Sequence, residues 1–479
     1  MGRRAVDRLV QIYCGVSWEL LMKAGTAPLR MLARPAGPGF WDSKVVTVGL
    51  DCTYLTVFLS RLPVAFFSGA GLRHGFLQKL LGLAPIPVSS SPVIWVHAVS
   101  LGEMLMLRPL VRQLMSKRPE LQYVLSSRTK EGYAIAALHF PDIPVFYAPF
   151  DFSWAVKRVF RRLRPSLLVV AEQDLWMNML RISARLDVPI AVVNGRMGTD
   201  DRKHLQRFNF LPPRAFAKIH LWIVTTEEQI AGVRALAGSD FANIEVAGFL
   251  KADTALRASA EHQSPGQLRK LYGFAEEEII WVAGSTHFPE ERILLDAFER
   301  LRVDHPSLRL ILVPRNEPFS VVERLLVSRN IEFVKRSQMT GMLRGSCPVM
   351  LVDRFGELPA LWKLADVAFV GGSLLPRWQG HNVLEPAAAG VPTCFGPHVS
   401  TFEDLAQALI HAGGAVHVET AADIYKVVGR WLADPALANR TGTNARSFVI
   451  AQRGATARTV TALDRVLPLA RSVPRVAAV

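Results

Sequence analysis

The sequence predicts an α/β protein built as two parallel-sheet domains facing each other across a cleft, and three observations carry that expectation. The first is a turn that occurs twice. Trp95 to Glu103 and Phe369 to Glu385 are each an apolar run that ends in small residues and opens a helix with a carboxylate in its first turn. Such a turn sets polar groups at the carboxyl ends of parallel strands, where open α/β sheets bind ligands, and aims helix N–H groups at them. The second is alternation: β-branched runs and helical patterns follow one another from Val93 to about Leu250, then restart at Ile279. The third is length. A chain of 479 residues exceeds one core and fits two or three domains of about 150 residues each.

In the first domain the expected strands are Val93 to Ala98, Leu121 to Ser126, Val145 to Tyr147, Leu167 to Ala171, Ile190 to Asn194, Leu221 to Val224 and Ile244 to Val246. Each is a short apolar or β-branched run. Helical patterns at Glu103 to Met115, Trp154 to Leu163 and Met177 to Leu186 lie between several of them, the βαβ signature. Polar, proline-containing sequence from Ala258 to Gln267 reads as a linker. Beyond it, Ile279 to Ala283, Leu308 to Val313, Val349 to Val352, Val367 to Val370 and Pro392 to Phe395 are the strands of a second sheet. The span from Ala421 to Leu467 reads as helices and Val473 to Val479 as a loose end. The expected organisation is an N-terminal extension over 1–92, a first Rossmann-like domain over 93–257, a second over 268–455, and a C-terminal helix and tail over 456–479.

Half the residues are hydrophobic and a fifth charged, as in a folded globular chain, and the net charge of +15 implies an anionic partner or surface. Charge alone leaves phospholipid, a phosphorylated substrate and nucleic acid open. Cys14, Cys52, Cys347 and Cys394 are far apart, which disfavours a zinc site or a disulfide framework. No histidine spacing suggests a metal, and no metal or other cofactor is expected. Val45 to Phe67 is apolar but carries Asp51, Arg61 and Pro63, a poor match to a spanning helix. Attachment to a membrane surface and a buried helix both fit it. The start of the chain has basic Arg3, Arg4 and Arg8 but no compact apolar core with a cleavage site, so no secretory signal is expected.

Candidate chemistry sits at strand ends. Glu103 follows Gly102 at a strand-to-helix turn, where a carboxylate points into a cleft or merely complements the helix dipole. His97 and Ser100 read as structural in the same turn. Glu172 and Asp174 follow the run Leu167 to Ala171, suited to a cationic transition state, a sugar hydroxyl, or a helix start. Lys251, after Gly248-Phe249-Leu250, suits a phosphate as a point charge. Pro314-Arg315 closes an apolar strand with a guanidinium, and Gly371-Gly372-Ser373 with Gly380-His381-Asn382 would let backbone approach an anion. Glu385, in the first turn of the next helix, suits ribose hydroxyls. Lys157, Arg158, Arg161, Arg162 and Arg164 form a basic helix face, solvated or turned toward anionic lipid. No nucleic-acid motif with interleaved aromatics is present.

Taken in order, these segments resemble the lipid A Kdo transferases, which move 3-deoxy-D-manno-octulosonic acid (Kdo) from CMP-Kdo to a lipid A precursor. The resemblance runs from Val93 to Val416 and rests on His97 to Glu103, Glu172 to Trp176, Asn194-Gly195-Arg196, Gly284-Ser285-Thr286-His287, Val313-Pro314-Arg315, Gly356-Glu357-Leu358, the Gly371 to Glu385 region and Gly396-Pro397-His398. It implies the glycosyltransferase B fold, two Rossmann-like domains facing across a cleft, and an inverting reaction in lipopolysaccharide core biosynthesis. By resemblance Glu103 is the catalytic base, Glu172 and Lys251 stabilise the transition state, and Pro314, Arg315, Phe355, Gly356, Glu357, Asn382, Val383, Leu384 and Glu385 hold CMP. It also implies a place at the cytoplasmic face of the bacterial inner membrane, with partners limited to CMP-Kdo, the lipid A precursor and an anionic membrane surface. The chain departs from the family pattern at Met177 (usually proline), Asn316 (histidine) and Phe355 (methionine). Arg377-Trp378-Gln379 interrupts what is commonly a Gly-Gly-His-Asn run, and residues 1–44 extend the usual start. The alternative reading keeps the fold and changes the donor, to a transferase or epimerase acting on another nucleotide sugar.

Overall fold

The computed structural model describes residues 43–68, 75–85, 91–172, 175–196, 216, 218–261, 263–315, 318–339, 347–399 and 402–471. The expectations for residues 1–42, Asp174, Asn316 and Val473 to Val479 lie outside the described residues. Two sheets of seven strands form the framework. The first holds β1 (Val93–Ala98), β2 (Gln122–Ser127), β3 (Val145–Tyr147), β4 (Pro165–Ala171), β5 (Ile190–Gly195), β6 (Leu221–Val224) and β7 (Ile244–Val246). The second holds β8 (Ile279–Thr286), β9 (Leu308–Pro314), β10 (Phe333–Lys335), β11 (Val349–Leu351), β12 (Val367–Val370), β13 (Thr393–Phe395) and β14 (Ala415–His417).

The order is β3-β2-β1-β4-β5-β6-β7 in one sheet and β10-β11-β9-β8-β12-β13-β14 in the other, and every pairing is parallel. In each sheet the chain leaves its first strand toward one edge and later returns to the other side of that strand. The order therefore reverses between β1 and β4, and again between β8 and β12. These two switch points are where doubly wound sheets open a crevice for ligands.

Burial on both faces explains why the strands read as continuous apolar runs. In β1, Ile94, Val96 and Ala98 join one core cluster while Val93 and Trp95 join another on the opposite face, as a period of two requires. Compact units divide at Leu250, not within 258–267: residues up to Leu250 join Gly454 onward, and Lys251 to Arg453 form the second unit. The expected linker is mostly helical, with helices over Leu250–Glu261 and Pro265–Tyr272. Helix Ala455–Arg471, which the sequence sets apart as a tail, completes the first unit. Ala455, Val460, Leu463 and Leu467 enter the β1 core, and Asp464 pairs with Lys117 and Arg118.

The apolar N-terminal stretch forms a helix, Lys44–Ser68, docked on the first unit through Val46, Leu50 and Thr53. Asp51, which interrupts its apolar run, is a docking group. Its carboxylate accepts the Ser153 N–H at 2.8 Å and Asn178 Nδ2 at 3.2 Å. Arg181 donates to the Ser43 carbonyl and to Thr47 Oγ1, both at 3.1 Å. No helix among the described residues is long and apolar enough to cross a membrane. Two members of the basic helix face have structural partners: Arg158 and Arg162 donate to the carbonyls of Leu81 and Ala84.

Beside this contact lies a buried carboxyl group. Asp151 accepts the N–H groups of Asn178 at 2.9 Å and Met179 at 3.0 Å, at the start of helix Met177–Arg185. Burial pushes it up to about 7, against those bonds, the Tyr54 hydroxyl and Arg128. The folded chain then holds more protons than the unfolded chain between the ordinary Asp value and about pH 7, so this group makes stability fall as pH rises through that window. The expected outcome is a smaller decline in thermal midpoint between about pH 5 and about pH 7.5 in Asp151→Asn than in the parent. Equal declines would count against a buried, protonated Asp151.

Candidate active site

At the first switch point β1 runs into a capped helix. Ser100, extended at φ −113° and ψ 166°, is the N-cap of helix Leu101–Lys117. Its hydroxyl accepts the Glu103 N–H at 3.3 Å and donates to Glu103 Oε1 at 3.0 Å, while the Val99 N–H donates to Oε2 at 2.8 Å. This reciprocal arrangement is a variant of the capping box, and it fixes the Glu103 carboxylate at the carboxyl end of β1. His97 is fully buried with Nδ1 2.8 Å from Ser126 Oγ, which also accepts Trp95 Nε1 at 2.8 Å. Gly102 meets nothing but Ser100 Oγ at 4.0 Å, so the fold itself leaves room for a side chain there.

Across the switch, β4 is followed by Glu172, which stands at φ 55°, and β5 carries Asn194 at φ 53°. Left-handed backbone is uncommon for residues other than glycine, and such strain clusters at functional sites. Glu172 Oε1 accepts Arg196 Nη2 at 2.9 Å and Asn194 Nδ2 at 3.4 Å. Asn194 Oδ1 in turn accepts the N–H of Leu250, which begins helix Leu250–Glu261. Sequence reasoning noted Asn194-Gly195-Arg196 as a motif without giving it a task; the structure makes it the support of Glu172. Lys251, the next residue of that helix, holds its ammonium 4.7 Å from the centre of the Phe402 ring.

At the second switch point, the organising group is one that sequence reasoning missed. Glu290 is fully buried at the start of helix Glu290–Asp304. Its carboxylate accepts four backbone N–H groups: His287 at 3.0 Å, Gly372 at 2.7 Å, and Ser373 and Leu374 each at 2.8 Å. It ties the turn after β8 to the turn after β12. Burial raises its carboxyl above the usual range, and the four N–H groups oppose that shift. In sequence, Glu290 looks like an ordinary acidic residue favoured by a helix dipole, because three of its four partners are 82 to 84 residues away.

The turn glycines are also set by packing. A Cβ on Gly371 would lie 2.6 Å from Thr286 Cα, one on Gly396 2.3 Å from the Ser373 carbonyl oxygen, and one on Gly284 2.5 Å from the Trp362 ring. These positions need glycine whether or not an anion approaches. Gly356 differs, since it stands at φ 91° with nothing within 4 Å of an added Cβ.

The residues expected to hold CMP come from neighbouring strand ends. Pro314 closes β9, and the Arg315 N–H donates to the Thr286 carbonyl at 2.9 Å. The Arg315 guanidinium is exposed and forms no ion pair or side-chain hydrogen bond among the described residues. Phe355, 66 % exposed, leans on Phe319 with ring centres 5.8 Å apart. The Glu357 carboxylate accepts Tyr272 Oη at 2.8 Å and Arg336 Nε at 2.7 Å, so its side chain already serves the fold. Val383 and Leu384 are buried, and Asn382 Oδ1 accepts the Leu384 N–H at 3.1 Å. Glu385 accepts Trp362 Nε1 and Asn382 Nδ2, both at 3.2 Å; burial raises its carboxyl, opposed by these bonds and by Arg315. No cluster of three metal-ligating side chains occurs among the described residues.

Two doubly wound sheets with polar groups gathered at both switch points are the framework of glycosyltransferase B proteins, and solved structures agree. The UDP-GlcNAc 2-epimerase from Neisseria meningitidis matches with a TM-score of 0.55 at 12% identity, over 78% of this chain and 100% of its own. A glycosyltransferase from Rickettsia africae matches with a TM-score of 0.54 at 10% identity, over 80% and 100%. The sequence narrows the class. The family model described as 3-deoxy-D-manno-octulosonic-acid transferase (kdotransferase) matches residues 71–254. The 3-deoxy-D-manno-octulosonic acid transferases of Chlamydophila psittaci and Bordetella pertussis are each 30% identical over 394 residues. They align with 81% and 80% of this chain respectively, and with 88% of each relative. The chain belongs to the 3-deoxy-D-manno-octulosonic acid transferase family and is a glycosyltransferase.

Proposed function

We propose that this chain transfers Kdo from CMP-Kdo to a hydroxyl of a lipid A precursor, with inversion at the anomeric carbon. Glu103 takes the proton from the acceptor hydroxyl as its oxygen attacks the anomeric carbon, a general-base role. The bond between that carbon and the phosphate oxygen breaks, and CMP departs with the bonding electrons. Glu172, held by Asn194 and Arg196, faces the positive charge that develops on the sugar. Lys251 and Arg315 meet the leaving phosphate, and a monophosphate needs less neutralisation than a diphosphate, so the scheme calls for no metal.

The observation that supports this reading most is the placement of Glu103 and Glu172 at the ends of β1 and β4, on either side of the first switch point. In the second unit, Arg315 forms no ion pair among the described residues and the exposed Phe355 suits the face of a nucleobase. We also place the protein at the cytoplasmic face of the inner membrane. Leu55, Leu59, Leu77 and Trp154 are exposed, and the helix that carries Trp154 also exposes Lys157 and Arg161, which suits an anionic lipid surface.

Isothermal titration with nucleotides tests the donor assignment. CMP should bind more tightly than UMP and UDP. Preference for UDP would favour the epimerase or transferase acting on another nucleotide sugar.

A further inference from the structure

His287, His381 and Trp378 form a stack at the second switch point that the proposed reaction leaves without a task. His287 follows β8 and the other two lie in the loop after β12, so adjacent strands deliver them. The two imidazoles share a hydrogen bond, Nε2 to Nε2, of 2.8 Å. The Trp378 ring lies on His287 with centres 3.9 Å apart and planes at 11°, and the Arg377 guanidinium covers Trp378 at 4.5 Å.

The loop that presents Trp378 and His381 is closed on itself. The Gly380 N–H donates to the Gly372 carbonyl at 2.8 Å, both glycines stand at positive φ, and a Cβ on Gly372 would meet the His381 ring at 2.7 Å. Glu290 holds His287 and Gly372 through their backbone N–H groups. The relative position of the two rings is therefore imposed from both sides.

Elementary tautomer chemistry then fixes what the pair offers. A bond between two Nε2 atoms of neutral rings needs a proton on one and none on the other. The ring with bare Nε2 must carry its proton on Nδ1, and the other ring has a bare Nδ1. Neither Nδ1 bonds to another protein group among the described residues. Burial and the cations Arg315 and Arg377 hold His287 down to about 3; burial and Arg315 hold His381 down to about 4, so both rings are neutral. The stack thus presents one N–H donor and one acceptor beside Arg315. A phosphoryl oxygen satisfies the donor, and a hydroxyl satisfies the acceptor.

We propose that the His287–His381 pair donates a ring N–H to the phosphate of the nucleotide donor, and that Trp378 is the positioning residue that holds the pair in place. The proposal rests on the nucleotide-sugar reading above and adds to it a directional contact where Arg315 supplies charge.

The test compares CMP with cytidine, by titration calorimetry of the full-length protein and its Trp378→Ala, Trp378→Phe and His381→Gln variants. Trp378→Ala and His381→Gln should each weaken CMP about 10-fold, the usual range for a hydrogen bond to a charged group, and change cytidine less than about 2-fold. Trp378→Phe, which keeps a flat ring, should restore most of the loss. Equal weakening of CMP and cytidine, or unchanged CMP affinity, would overturn the proposal, and a thermal melt of each variant separates either result from unfolding. Preference of the parent protein for uridine nucleotides would defeat the CMP reading instead, and UMP against uridine then decides the pair by the same criterion. Absence of binding by every nucleotide would defeat both.

Discussion

Glu103→Gln should fold normally and lose turnover by about 10²- to 10⁴-fold, the usual contribution of a general base. The choice of glutamine separates two roles that alanine would confuse. In the structure Glu103 is the third residue of a capped helix, and its carboxylate accepts Val99 N–H and Ser100 Oγ. Glutamine is the other residue used at this place in capping boxes, and its carbonyl oxygen keeps part of the cap. It cannot take a proton from an attacking hydroxyl. Glu103→Ala removes cap and base together, and should cost about 1 kcal/mol of stability as well as turnover. Turnover in Glu103→Gln close to that of the parent would leave Glu103 with its capping role alone. Calorimetric melting beside steady-state rates distinguishes these outcomes.

The largest stability effect should come from Glu290→Ala, a residue outside the proposed chemistry. Four backbone N–H groups converge on one fully buried carboxylate. Removing it leaves four donors without a partner, each costing about 1–3 kcal/mol unless water enters. Even with water in the cavity, a net loss of about 4 kcal/mol is expected, in the range reserved for broken buried networks. For a unit of this size that lowers the thermal midpoint by about 10 °C. Hydrogen exchange gives the local readout, because the amides of Gly372, Ser373 and Leu374 should lose protection before the sheet does. A midpoint within about 2 °C of the parent would mean that the turns after β8 and β12 are held by other contacts.

The contrast between these residues shows which features a sequence displays. Strands β1, β6 and β12 have the bounds that their apolar runs suggest, because burial on both faces leaves an uninterrupted local signal, and the partly buried β3 and β7 also keep the expected bounds. The positions of Glu103 and Glu172 at strand ends were legible for the same reason, since each carboxylate follows such a run. Edge strands β10 and β14 were not, since each has only two consecutive apolar residues before Lys335 or His417. Contacts between distant segments were also hidden. His287 meets His381 across 94 residues, Asp51 meets Ser153 across 102, and helix Ala455–Arg471 returns to a sheet that begins at Val93. Nothing in local periodicity encodes these pairings. Glycine carried a different message from the one its turn suggests: Gly371 reads as a place where backbone approaches an anion, and the structure shows the Thr286 backbone packed where its side chain would be.

The most direct test of the account is mass spectrometry of the lipid after the purified, detergent-solubilised protein is incubated with CMP-Kdo, generated in situ, and a tetraacylated lipid A precursor. The account predicts a mass gain of one or more Kdo units that requires both substrates and disappears in Glu103→Gln. An unchanged lipid, from folded protein that still binds CMP, would contradict the proposed transfer and direct attention to a different sugar or acceptor.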